Sequence, residues 1–184
     1  MAFSSNIKVT GFQLTSTEPM YSNRAWNGAL ITRSTNIQYY QIQFTLNFNQ
    51  KDQAEIKQFL AQYSQARPFQ MDLGYLSQYT GIQNSALSAT SVTAAGTYRV
   101  NTQANNLEVG SLIQFSNHSK IYRVIANTSG VLSIFPNLRQ QVQAGENIKF
   151  NNIQGQFVLD IDNDYQIQVQ NVMSIQLKAT EYLN

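Results

Sequence analysis

Cysteine is absent from this 184-residue chain, histidine occurs once and proline three times. With no cysteine there are no disulfides and no thiolate metal sites, so stability has to come from packing. The only histidine, His118, removes Cys-His and multi-histidine sites from consideration. It stands in an Asn-His-Ser turn without companions, and the expected role is that of a solvent-exposed turn residue. Glycines are dispersed rather than clustered into a phosphate cradle. No apolar run approaches the roughly 18 residues that a spanning helix needs, and Met1 to Ser5 lack a basic region followed by an apolar one. Synthesis in a cytoplasm without membrane insertion is the expectation.

Charge is scarce as well. Twelve basic and ten acidic residues make up 12% of the chain and leave a net charge of +2, which gives no electrostatic case for nucleic acid or an anionic membrane as the main partner. Polarity comes instead from 42 Asn and Gln residues. Amides hydrogen-bond to water or to neighbouring chains without long-range fields, which suits close packing against other subunits.

The strongest pattern lies between Ile37 and Tyr63. Tyr40, Ile42, Phe44, Leu46 and Phe48 alternate with Gln41, Gln43, Thr45 and Asn47, a period of two that places the large apolar side chains on one strand face. Ile56, Phe59, Leu60 and Tyr63 then recur at helical spacing among polar residues, so an amphipathic helix is expected at about residues 51–65. A one-sided strand needs a cover, and this helix is the nearest apolar stripe.

Before it, Ile7 and Val9, then Phe12 and Leu14 across Gly11, fit one bent strand or two short ones. The Ser, Thr, Asn and Pro content of Thr15 to Asn27 reads as a loop. Met20, Tyr21 and Trp26 sit inside it and either fold back on the core, the commoner fate, or face a partner. Ala29 to Arg33 is a further candidate strand. After the helix, Arg67-Pro68 stops the helical backbone, Phe69, Met71 and Leu73 alternate as a strand, and Tyr75 to Ala95 reads as a linker.

Five short strands, around Tyr98, Leu112, Ile121, Val131 and Ile148, come in under 60 residues with turns at Asn105-Asn106, Asn117-His118, Ser129-Gly130 and Gly145 to Asn147. Such spacing suits a small closed barrel, since closure protects short edges. The chain then returns to longer alternating strands at Phe157 to Ile161, Tyr165 to Val169 and Met173 to Ala179. The expected architecture is mainly β with one helix: a β-sandwich-like domain from residues 1–80 plus 153–184, and a small β-barrel inserted at 85–150.

No catalytic, cofactor or metal site is read from the chain. Asp160, Asp162 and Asp164 have the spacing that opens a calcium loop, but Tyr165 replaces the turn glycine and Asn171 the bidentate glutamate. Asp160 and Asp162 would share a strand face without a recognisable substrate cleft. The triplets Asn117-His118-Ser119 and Asn127-Thr128-Ser129 match glycosylation acceptors and carry little weight without a secretory signal.

Taken together, Trp26 and Arg33, the strand Tyr40 to Phe48, the helix Asp52 to Gln65, Arg67-Pro68-Phe69 and the closing strands Phe157 to Tyr182 follow an order that resembles the distal tail proteins of long-tailed bacteriophages. The inserted module adds Leu107 to Phe115, His118 to Val124 and Ile134 to Leu138, which look like the inserted barrel of some of these proteins. The resemblance implies a non-enzymatic virion protein. It forms a ring, usually of six copies, between the tail tube protein and the hub or fibre proteins that carry host recognition. Another virion ring (head–tail joining, tail terminator or tube) and a carbohydrate-binding module are the alternatives at this point.

Overall fold

The computed structural model describes residues 3–166 and 170–183. In chain order the elements are β1 (Lys8–Thr17), β2 (Met20–Arg24), β3 (Leu30–Ser34), β4 (Tyr39–Asn49), α1 (Gln53–Tyr63) after a 3-10 turn, and β5 (Phe69–Asp72). There follow β6 (Leu87–Ser88), β7 (Arg99–Asn101), β8 (Leu112–Phe115), β9 (Tyr122–Thr128), β10 (Val131–Phe135) and β11 (Asn147–Lys149). The chain ends with β12 (Gln154–Leu159) and β13 (Val172–Glu181). It is mainly β.

A five-stranded antiparallel sheet runs in the order β1-β4-β13-β12-β5. The period of two in β4 is realised throughout: Tyr40, Ile42, Phe44, Leu46 and Phe48 are all buried. Met173, Ile175, Leu177 and Ala179 of β13 lie on the same side. Helix α1 covers that face with Ile56 and Phe59, and Phe59 meets Phe69 edge-on at 5.3 Å. The opposite face carries the amides. There the Thr17 hydroxyl donates to Gln41 and the Asn47 amide donates to Thr10, cross-strand bonds that tie β1 to β4. β1 is one bent strand: its register slips between Thr10 and Gln13, where Gly11 adopts a φ of +59°, a glycine bulge that also blunts this edge.

The second sheet has six strands in the order β6-β11-β8-β9-β10-β7. Its end strands are joined by a bridge between Ala89 and Thr102 and by the Thr90 N–H donating to the Asn101 carbonyl. It encloses a separate core including Val100, Ile113, Phe115, Tyr122, Val124, Leu132 and Ile148. The β9–β10 hairpin turns through Ser129 and Gly130, both at positive φ, as a two-residue turn matched to strand twist requires. Ile121 leaves this module to pack in the first core, beside Phe157 and its neighbours.

The structure corrects several expectations. Thr15 to Asn27 is not a loop, because β1 continues to Thr17 and β2 follows. Within the expected linker, residues 74–77 form a 3-10 turn and β6 belongs to the second sheet. β12 ends at Leu159, so Ile161 is fully exposed rather than inward-facing, and Asp160 and Asp162 lie in a turn rather than on one strand face. Tyr165 and Gln166 are outside any strand. Ile167 and Val169, the rest of that expected strand, lie outside the described residues. Among the described residues no helix is long and apolar enough to cross a membrane.

Candidate interaction surface

Strands β2 and β3 form a sheet of their own, paired from Met20–Ser34 to Arg24–Leu30. Every residue in both strands is exposed. Opposite partners share a face, so one face shows Met20, Arg24 and Leu30 and the other Tyr21, Ile31 and Arg33. Adjacent apolar pairs explain this layout: Met20-Tyr21 and Leu30-Ile31 put one large side chain on each side instead of two on one.

The hairpin is well defined at both ends. At its base the Thr35 hydroxyl donates to the Pro19 carbonyl, and Arg123 of β9 donates to Glu18 at 2.9 Å. At its tip the Ala25 N–H donates to the Ala29 carbonyl, and the Asn27 side chain accepts from the Ala29 N–H. Trp26, the only tryptophan, projects from this tip fully exposed. An isolated two-stranded hairpin is marginal in water. This one also displays five large apolar side chains, Met20, Tyr21, Trp26, Leu30 and Ile31, to solvent. The expectation that these residues fold back on the core is therefore overturned for Met20, Tyr21 and Trp26.

Near the hairpin base, a buried charged cluster joins the two sheets. Lys120, from the loop between β8 and β9, places its ammonium 2.7 Å from Glu181 of β13 and 2.7 Å from the Gln38 amide oxygen. The Glu181 carboxylate also accepts the N–H groups of Ile121 and Tyr40, each at 3.0 Å. The ammonium lies over the Tyr40 ring, and Gln38 donates onward to Ser16. All polar atoms of the pair are thus engaged. Burial pulls Lys120 down to about 8, against the opposing pull of Glu181. Burial likewise pushes the Tyr40 and Tyr122 hydroxyls up to about 12.

These directions fix the alkaline behaviour. Folded Lys120 releases its proton near 8 while the unfolded chain holds it to about 10.5, so its titration raises stability across that window. The two tyrosines keep protons that the unfolded chain loses above 10.0, so they lower stability as pH climbs from there towards 12. Melting temperature, followed by circular dichroism, is expected to rise between pH 8 and 10 and to fall as pH climbs further towards 12. A fall beginning near pH 8 would contradict the burial of Lys120.

The other residues singled out in the sequence are placed as follows. His118 is buried, not exposed: its ring nitrogens lie 3.3 Å from the Tyr122 hydroxyl and 3.4 Å from the Gln141 carbonyl, and Glu146 is 3.9 Å away. The tight turn tucks its ring against Phe115 and Tyr122, so it is part of the barrel core. Asp160 accepts from the Thr180 hydroxyl, Asp164 accepts the Gln166 N–H, and exposed Asp162 meets Lys178 at 3.5 Å. Among the described residues no three His, Cys, Asp or Glu side chains converge to hold a metal. Asn127 donates to the Asn105 and Leu107 carbonyls and so braces a barrel loop. No protein-family model and no curated protein matches the chain.

Proposed function

We propose that the protein is a non-enzymatic structural subunit that assembles with copies of itself into a ring, the ring at the distal end of a bacteriophage tail. The observation that carries self-assembly is the hairpin at 20–34, ordered at base and tip and exposing apolar residues on both faces. An amide-rich, charge-poor surface supports the same reading, because it lets like subunits approach without repulsion. The place of the ring in a virion rests on the resemblance to distal tail proteins. In that arrangement the five-stranded sheet and its hairpin make the ring, while the barrel faces the tail tube or the hub and fibre proteins.

Native mass spectrometry of the full chain is the direct test. A closed ring, with six copies the expected number, is the supporting result, together with labelled phage particles that carry the protein at the tail's distal end. A chain that stays monomeric both alone and with its tail partners would sink the proposal, and a label elsewhere on the particle would move it to another virion ring.

A further inference from the structure

The proposal of a ring leaves open what the hairpin touches, and the distribution of charge narrows the answer. Residues 20–34 contain Arg24 and Arg33 and no acidic residue. Residues 160–166 contain Asp160, Asp162 and Asp164 and no basic residue. In a chain with only 22 formally charged side chains, two short exposed segments of opposite sign stand out. Their charges are also largely unspent. The Arg24 guanidinium donates to the Gly28 carbonyl of its own tip at 3.3 Å, and among the described residues Arg33 has no side-chain partner. Asp162 has only the solvent-exposed contact with Lys178, and Asp164 caps its own turn.

The apolar parts match too. The acidic turn shows Ile161, fully exposed, and Tyr165 beside its carboxylates. The turn is a firm target: the Asn163 side chain both donates to the Lys178 carbonyl and accepts the Lys178 N–H, taking the place of a strand partner on the edge of β13.

The two patches come from different parts of the first sheet. The hairpin leaves the sheet between β1 and β4, whereas the turn follows β12, beyond β13. The hairpin and the turn are therefore different patches of one chain, and a contact of one on the other can close a ring head to tail. A two-fold contact of hairpin on hairpin would bring the arginines of both copies together. The hairpin base lies at the row of Tyr39, and the turn starts at the row of Lys178 and Gln43.

Building on the ring reading, we propose that the hairpin of one copy docks on the 160–166 turn of the next. Arg24 and Arg33 face Asp162 and Asp164, and the apolar hairpin residues cover Ile161 and Tyr165. Trp26 rides on the hairpin tip, so its emission reports the contact and shifts to the blue as copies associate.

The test uses the full chain and two charge reversals on exposed residues, Arg24→Asp with Arg33→Asp, and Asp162→Arg with Asp164→Arg. Each pair is expected to keep the wild-type melting temperature and weaken association by roughly a hundredfold in sedimentation, with Trp26 emission staying red. The chain carrying all four reversals is expected to assemble again. If the wild type assembles and the hairpin reversal assembles equally well, this docking is wrong while the ring stands. If the wild type is a monomer at every concentration, the ring reading and the docking fall together.

Discussion

Glu181→Ala is expected to lower stability by about 3–5 kcal/mol, the range for removing one member of a buried ion pair. The side chain is completely enclosed, as is nearly all of Lys120. Its loss strands the ammonium with only the Gln38 oxygen and the Tyr40 ring, and it orphans the N–H groups of Tyr40 and Ile121. Those groups belong to the start of β4 and to the barrel, so the variant is also expected to loosen the two modules from each other. Urea unfolding followed by circular dichroism measures both effects, the second as a shallower or split transition. Pairing Glu181→Gln with Lys120→Met is expected to recover much of the loss, because removing both charges leaves no uncompensated ion. A single substitution that shifted stability by less than about 1 kcal/mol would show that the cluster is wetter than its geometry indicates.

Much of the first sheet was legible because burial follows period. β4, α1, β5 and β13 each place large apolar residues on one side, and the core uses nearly all of them. The elements that escaped detection lack that signature for definite reasons. β2 is exposed on both faces, so nothing in it alternates, whereas β3 coincides with the expected strand at Ala29 to Arg33. β6 has two residues, too few for any period. The buried pair joins positions 61 residues apart, and no local pattern links such residues. One signal was nevertheless present. Glu181 continues the inward series Met173, Ile175, Leu177, Ala179, and a carboxylate on an inward face requires a buried partner. The hairpin had a signal too: neighbouring apolar pairs in an otherwise polar strand place large side chains on both faces.

Phe44→Ala tests the centre of the same sheet. Phe44 is fully buried in the middle of β4, paired in register with Leu177 of β13 and sharing a core with Ile56 and Phe59 of α1. The substitution removes a ring from a site held by strands on both sides and a helix above, where the walls have little freedom to collapse. The expected loss is about 3–5 kcal/mol, a fall in melting temperature of roughly 10 °C for a chain of this size. Gln43→Ala, one residue earlier, acts on the half-buried amide face and is expected to stay within about 0.5 kcal/mol. The contrast between adjacent positions is what the period of two demands. Comparable losses at both would mean that the amide face is also covered in the assembled protein. In a ring that result would appear only above the association threshold, so both variants should be melted at concentrations on either side of it.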